Sequence, residues 1–224
     1  MSLEKYNVRK VNDKVGRQYI RDNHYAGEVI VSATCYGLWK DAGEWWDSQL
    51  KGVIAFSMPV SENVRKSVFG KDYKESVIEL HRMFTDDNCP KNSGSFFISR
   101  ALKQLKQDRP HIRAVISFSD TTENHWGTQY QAANAWYAGT SKGQVLYRDS
   151  KGNLRHYKQG GKILSKDEIK KRGWEKEQRM DKQRYLWFLP DKHGEYNSEA
   201  KLRNMCLLDL SKDYPEKVEG EALK

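Results

Sequence analysis

The spacing of apolar residues predicts one helix and two strands near the start of the chain. Apolar side chains recur every fourth position within residues 11–25, a period typical of an amphipathic helix that Asn12 or Asp13 caps. Two runs of β-branched and aromatic residues follow at 29–39 and 51–58, with a turn-like Asp-Ala-Gly sequence between them. Two strands joined in this way indicate an antiparallel hairpin.

The clearest pattern in the chain is a strand, a helix and a second strand. An apolar strand over 76–84 leads through a loop rich in Asp, Asn, Pro and Gly into a helix over 95–107. Pro110 follows that helix, and residues 113–119 form a nearly all-apolar strand. Because strands joined by a single crossover helix are parallel, we predict a βαβ unit and a partly parallel sheet.

The pattern is weaker in the second half of the chain. A helical pattern over 123–134, interrupted by a glycine, precedes a short strand that begins at Trp136. The last apolar strand covers 184–189, and a polar insertion at about 142–183 lies before it. These elements predict an α/β fold with a mixed sheet, flanking helices and an insertion before the last core strand.

Composition indicates a soluble intracellular protein. The 224 residues are 38% hydrophobic and 31% charged, and the longest apolar runs are about six residues. Spanning a bilayer takes roughly 20 apolar residues, and the N-terminus lacks the apolar stretch of a signal peptide. We therefore expect a single domain over 1–224, with a disordered tail at 216–224.

The net charge of +9 is concentrated in the insertion. Residues 151–184 contain twelve Lys or Arg against five Asp or Glu, a local charge of +7. A basic segment with interleaved aromatic residues favours a polyanion partner, because counterion release from phosphates drives binding. Lys170, Lys171 and Arg172 are the candidate phosphate contacts, and a solvated, weakly ordered segment is the alternative.

A candidate anion site lies where the first strand of the βαβ unit leads into its helix. The first N–H groups of a helix have no intrahelical partner, and with the helix dipole they attract negative charge. Lys91 adds a positive charge there. Ser93 and Ser95 either donate to a phosphate or cap the helix. The chain has no Walker A, GxGxxG or HExxH motif.

Charged residues interrupt the two apolar strands of the same unit. Strict alternation places Glu79 and His81 on one face of the first strand and Arg82 on the other. A buried arginine needs a partner or a ligand, so Arg82 either forms a salt bridge, for instance with Asp120, or contacts a substrate. Asp120 ends the second strand and is either a catalytic carboxylate or a helix N-cap.

Motifs between residues 79 and 139 have the order and spacing of a known family. Together with Lys182-Gln-Arg-Tyr-Leu-Trp-Phe-Leu-Pro190, they resemble the Mom family of phage DNA-modification proteins over roughly residues 23–190. The motifs are Glu79-Leu-His-Arg82, the run Asn-Ser-Gly-Ser-Phe-Phe-Ile-Ser-Arg-Ala-Leu, the strand end Val-Ile-Ser-Phe-Ser-Asp120, and His125-Trp-Gly-Thr-Gln-Tyr-Gln-Ala-Ala-Asn-Ala-Trp136-Tyr-Ala-Gly139.

The resemblance implies a GNAT-like acyltransferase fold and a DNA-modifying activity. The family converts the N6 amino group of adenine in double-stranded phage DNA to an acetamido (carbamoylmethyl) group, which protects the DNA from host restriction. The implied setting is the cytoplasm of the infected bacterium. The alternatives are a GNAT-type N-acyltransferase that acts on a protein or small amine, and a non-catalytic DNA-binding accessory protein.

The resemblance also implies roles for individual residues. The implied essential residues are Arg82, Asp120 and Tyr130. An acetyl-CoA or related acyl donor would bind over Lys91, Ser93, Gly94 and Ser95, although this loop has Phe96 where the usual GNAT pattern ends in a small residue. Iron would bind at His24 and Tyr25.

Adenine chemistry fits these residue types. The N6 lone pair is delocalised into the ring, so a base such as Asp120 would remove the N6 proton while Arg82 or Tyr130 stabilises negative charge. The adenine must be flipped out of the duplex to react, and Trp126 or Trp136 would stack on it.

Overall fold

A computed structural model describes residues 2–25, 29–41, 43, 47–159 and 161–216. The helices in this part of the chain are α1 (Asp13–Asn23), α2 (Glu62–Phe69), α3 (Ser93–Asp108), α4 (Thr128–Ala132), α5 (Lys166–Lys171) and α6 (Glu199–Met205). The strands are β1 (Tyr6–Lys10), β2 (Thr34–Lys40), β3 (Gln49–Ser57), β4 (Val77–Thr85), β5 (Ala114–Asp120), β6 (Trp136–Ser141), β7 (Val145–Arg148), β8 (Leu154–Arg155), β9 (Lys158–Gln159), β10 (Lys162–Ile163), β11 (Glu175–Gln178) and β12 (Lys182–Phe188).

Seven strands form the main sheet, in the order β1-β2-β3-β4-β5-β12-β6. α3 joins the parallel neighbours β4 and β5, and β2 and β3 form an antiparallel hairpin. The remaining neighbours in this sheet pair antiparallel. The predicted βαβ unit, the hairpin and the α/β class with a mixed sheet and flanking helices are confirmed.

Helices cover both faces of the sheet. On one face, α3 buries Phe97 and Leu105. On the other face, α1 packs through Ile20, and α2 and α6 pack through Val68 and Leu202. All five side chains are completely buried, and burying one such side chain contributes about 1.5–3 kcal/mol.

The parallel strands β4 and β5 separate toward their carboxyl ends. They pair only over Val77–Glu79 and Ala114–Ile116, although β4 continues to Thr85 and β5 to Asp120. The resulting opening lies beyond the carboxyl ends of parallel strands, which is where open α/β sheets bind their ligands.

The prediction of a continuous helix over 123–134 is wrong. The chain instead forms a 3₁₀ turn at Thr121–Glu123 and then the short helix α4, because Asn124 and Gly127 have φ angles of 57° and 72°. A Cβ atom on Gly127 would collide with the ring of Tyr185. The glycine therefore permits both the left-handed backbone and the close tertiary contact that end the helical pattern.

The structure confirms one of the two caps predicted for the first helix and changes the start of a strand. The side chain of Asn12 accepts two backbone N–H hydrogen bonds at the start of α1, so Asn12 is the cap. The strand predicted over 29–39 begins only at Thr34. The helices α2 and α6 and the edge strand β1 were not predicted from the sequence.

The basic insertion has secondary structure of its own. β7, β8 and β11 form a three-stranded sheet, β9 and β10 pair with each other, and α5 begins with a capping box between Ser165 and Glu168. The predicted disorder of the tail falls, apart from Glu216, outside the described residues. Within the described ranges, no helix combines the length and the apolar character needed to cross a membrane.

Candidate functional site

Polar side chains from four segments surround the opening between β4 and β5. The charge of Arg82 on β4 acts on His24 and Tyr25 after α1 and on Tyr130 of α4, and the charge of Asp120 acts on Tyr25. The structure therefore brings these five predicted site residues into one neighbourhood. We call this neighbourhood, together with Glu79, His81 and His125, the Arg82 cluster.

A β-bulge in β4 directs Arg82 toward α1. Leu80 pairs with Phe56 of β3 and Arg82 pairs with the adjacent Ala55, so β4 carries one extra residue at His81. Ala55 lies in the apolar cluster beneath α1, which places Arg82 on that face. The prediction that Arg82 and His81 lie on opposite faces is wrong, because the bulge interrupts the alternation.

Arg82 is half-buried and its hydrogen-bonding capacity is only partly used. Its Nη1 donates to the carbonyl oxygen of His81 at 2.7 Å, whereas its buried Nε has no hydrogen-bond partner in the described part of the chain. The sequence offered two roles for Arg82, a salt bridge with Asp120 or a contact with a substrate. Among the described residues this salt bridge does not form, because Asp120 pairs with Arg179 and Lys182 instead. A buried, unsatisfied guanidinium N–H is suited to an anionic or carbonyl oxygen of a ligand.

Asp120 is engaged by two cations. Its Oδ2 lies 3.1 Å from Nη2 of Arg179 and 3.3 Å from Nζ of Lys182, and its Oδ1 accepts the N–H of Thr122 at 3.1 Å. Burial raises the pKa of Asp120, but Lys182 and Arg179 more than offset this, so the net pKa lies below its usual value. The carboxylate is ionised at neutral pH and is a weak base.

Tyr130 faces the same opening from α4. Its ring packs edge-on against Tyr185 and Trp187, each with ring centroids 5.5 Å away, and Ser117 lies beside its hydroxyl. Burial raises the pKa of Tyr130, so the hydroxyl stays protonated and remains a hydrogen-bond donor.

His24 and Tyr25 form an aromatic stack at the end of α1. Their ring centroids are 4.4 Å apart with 28° between the planes, and His125 meets Tyr25 edge-on at 5.2 Å. Burial and the charges of Arg82 and His125 lower the pKa of His24 to about 4. Burial and the charge of Asp120 raise the pKa of Tyr25 to about 12.

This stack does not fit the predicted iron site. The in-plane lone pairs of two nearly parallel rings do not converge on one ion. No group of three His, Cys, Asp or Glu side chains is placed to hold a metal ion in the ranges that the structure describes. The described residues therefore do not support iron at His24 and Tyr25.

The start of α3 borders an open pocket of about 280 Å³. Asn92 precedes the helix with φ 68° and gives no side-chain cap, so the N–H groups of Gly94 and Ser95 have no intrahelical acceptor. Ser93 and Ser95 donate their hydroxyls to the carbonyls of Pro90 and Asn92 instead of capping the helix. The lining includes Ser93, Gly94 and Ser95 but not Lys91, and it also includes Asp86 and Asp87.

Gln129 of α4 covers this helix start. A Cβ atom on Gly94 would collide with the side-chain amide of Gln129, so the two segments touch at the glycine. A ligand that lies directly over Gly94 must therefore displace the Gln129 side chain.

The two tryptophans predicted to stack on a base lie in different places. Trp126 sits in the turn before α4, where its indole Nε1 donates to Asn124 at 3.2 Å. Trp136 pairs with Leu186 on the sheet face covered by α2 and α6, and its Nε1 donates to Glu199 at 2.7 Å. Trp126 thus lies two residues before α4, the helix that carries Tyr130, whereas Trp136 is bound to Glu199.

The candidate phosphate contacts are on α5 of the insertion. Lys170 and Lys171 are exposed in its last turn, and the guanidinium of Arg172 lies 5.2 Å from the ring centroid of Trp174. These three residues are not part of the Arg82 cluster. The insertion instead reaches that cluster through Arg179, which contacts both Asp120 and Glu123.

Comparison with known sequences decides the family. Residues 5–206 match the model of the Mom protein family. The chain belongs to the Mom protein family. A curated Mom relative, "Methylcarbamoylase mom" of Escherichia phage Mu, is 27% identical over 133 residues, which is 59% of this chain and 53% of the relative. The match thus spans about half the length of that relative.

Solved structures that resemble this Mom-family chain have low sequence identity to it. An N-acetyltransferase from Staphylococcus aureus Mu50 is 12% identical, with 82% of this chain and 98% of that chain covered and a TM-score of 0.44. Arabidopsis thaliana NAA60 in complex with acetyl-CoA is 11% identical, with 82% of this chain and 98% of that chain covered and a TM-score of 0.46.

Four residues at the site of this Mom-family chain were not predicted from the sequence. The sequence marks Glu79 and His81 only as polar interruptions of a strand, although a histidine beside an arginine in an apolar strand is a usable signal. Arg179 was one basic residue among twelve in its segment, and Gln129 carried no signal. Their importance comes from tertiary contacts that the sequence does not encode locally.

Proposed function

We propose that this Mom-family chain transfers a carbamoylmethyl (acetamido) group to the exocyclic N6 of adenine in double-stranded DNA. The observation that carries the proposal is the half-buried Arg82, whose buried Nε is unpartnered in the described part of the chain, beside the protonated Tyr130 at the opening between β4 and β5. Both groups can stabilise negative charge that develops on a transferred group. Modification in the host cytoplasm would protect phage DNA from restriction.

The donor in this proposal is of the acyl-CoA type. The uncapped N–H groups of Gly94 and Ser95 fit a pyrophosphate, and α3, which they begin, is the helix that follows β4, the strand that carries Arg82. When bound, the donor would supply a carbamoylmethyl group activated at its methylene carbon, and the rest of the donor would be the leaving group. The carboxylates of Asp86 and Asp87 line the same pocket and repel phosphates. The donor's phosphates would therefore lie on the side of the pocket formed by the start of α3.

The DNA-binding part of the proposal rests on charge. The insertion carries the local +7, and its exposed Lys170, Lys171 and Arg172 are the proposed phosphate contacts. Trp126, in the turn before the helix that carries Tyr130, is the proposed stacking partner of a flipped adenine. Asp120 and Arg179 join these two parts, so the proposed role of Asp120 includes holding the insertion against the site.

Mass spectrometry of nucleosides tests the proposal. DNA co-expressed with the protein is digested and compared with DNA from cells that express Arg82→Lys. A new deoxyadenosine species that only the unsubstituted protein produces is the expected result. DNA binding without a new species would favour the accessory protein, and acylation of a protein or small amine would favour the other transferase.

A further inference from the structure

The reaction proposed above needs a proton acceptor, and the strongest candidates from the sequence are poorly suited to that role. Asp120 is held by two cations that keep its pKa low. Burial raises the pKa of Tyr130, and that of Tyr25 is about 12, so neither phenol is ionised at neutral pH. His24 is stacked on Tyr25 with a pKa of about 4.

His81 differs from these residues in its contacts. Its side chain is 15% exposed, and its buried Nδ1 has no hydrogen-bond partner in the described part of the chain. The carboxylate of Glu79 lies 3.6 Å from that nitrogen, on the same face of β4. Glu79 is itself 18% exposed. A histidine with one nitrogen turned to a carboxylate is oriented, and its other nitrogen is left for a reaction partner.

The position of His81 also points to the reaction site. It is the extra residue of the β4 bulge, directly before Arg82. On β5, the neighbouring strand, the buried hydroxyl oxygen of Ser119 also has no partner in the same described set. Buried polar groups are normally satisfied, so unsatisfied ones on both sides of an opening indicate where a polar ligand binds.

We infer that His81 accepts the proton of the substrate nitrogen, and that Glu79 is a positioning residue that orients the imidazole. The inference rests on the proposed function. N6 of adenine forms a bond to the methylene carbon of the donor's carbamoylmethyl group, and one N6–H bond breaks. The proton passes to Nε2 of His81, and the donor's leaving group departs with the electron pair of its bond to that carbon.

Single-turnover rates on duplex DNA test the inference. We expect His81→Ala to slow the reaction by about 10²-fold or more, the usual scale for a general base, and added imidazole to restore part of the rate. His111→Ala, a change at an exposed histidine, is the matched control and stays at the wild-type rate. Glu79→Gln loses less, and the double variant is no slower than His81→Ala, because Glu79 acts through His81.

Several results would overturn the inference. His81→Ala within about threefold of wild type would do so, as would a loss that imidazole does not restore although the variant melts normally and binds DNA like wild type. If His81→Ala does not fold, His81→Gln replaces it, and activity in that variant contradicts proton transfer to His81. A wild-type protein that forms no modified adenine refutes the proposed function instead, so the two failures are distinguishable.

Discussion

Arg179 reaches Asp120 across 59 positions of sequence, with Nη2 at 3.1 Å from Oδ2. The same guanidinium contacts Glu123 at 2.6 Å and Glu177 at 3.0 Å, and its side chain is only 6% exposed. Arg179 lies just after β11, whereas Asp120 ends β5. One buried arginine therefore fastens the basic insertion to the end of a core strand.

Removing this arginine is expected to destabilise the protein. Arg179→Gln leaves three carboxylates near one another without their shared partner, and breaking a buried ion pair costs about 3–5 kcal/mol. The free energy of unfolding, measured by urea titration, reports the loss. The matched control is Arg172→Gln at the end of α5, for which we expect a change within about 0.5 kcal/mol. Equal stability of the two variants would contradict the fastening role.

The same ion pairs predict how stability depends on acid. The pKa of Asp120 is lower in the folded than in the unfolded chain, so its stabilising contribution is complete above the unfolded value of about 3.9. That contribution is lost as the pH falls through the lower folded-state value. Unfolding free energies between about pH 6 and pH 3 should fall less steeply for Asp120→Asn than for wild type. Parallel curves would show that Asp120 does not contribute.

Much of the fold follows from local patterns, and the exceptions have physical causes. The βαβ unit was predictable because the apolar periods of β4, α3 and β5 are clear. The break at Gly127 was not, since it depends on contact with Tyr185. The direction of Arg82 depends on a bulge, and the partner of Asp120 lies in a separate segment. The residue types in the sequence indicated which side chains form the site, but only the tertiary structure shows which of them are in contact.

The start of α3 gives a prediction about the donor. Gly94→Val should abolish acyl-CoA binding in calorimetry and leave DNA binding unchanged, because a side chain there blocks access to the free N–H groups. The new side chain also meets Gln129, so the variant is repeated in a Gln129→Ala background. If the double variant binds the donor again, the loss in Gly94→Val comes from the contact of the valine with Gln129 and not from a direct clash with the donor. Gln129→Ala alone should bind the donor more tightly than wild type.

The insertion gives a prediction about salt. If it contacts phosphates, the logarithm of DNA affinity falls with the logarithm of salt concentration by about 0.9 per neutralised phosphate. Replacing Lys170, Lys171 and Arg172 with Ala should flatten that slope. A control triple variant removes exposed lysines outside the insertion, namely Lys14, Lys103 and Lys201. Equal slopes for both triple variants would assign α5 to a solvated surface.

The central claim is that the N6 atom of adenine receives the transferred group beside Arg82. It is tested most directly with a duplex whose adenine carries ¹⁵N at N6, incubated with the purified protein and an acyl-CoA-type donor, and digested for mass spectrometry. We expect a heavier deoxyadenosine that retains the label on the substituted nitrogen. Arg82→Lys should form it about 10²-fold more slowly, because lysine lacks the planar guanidinium. Unmodified adenine in the wild-type reaction, with the protein folded and bound to the duplex, would contradict the account.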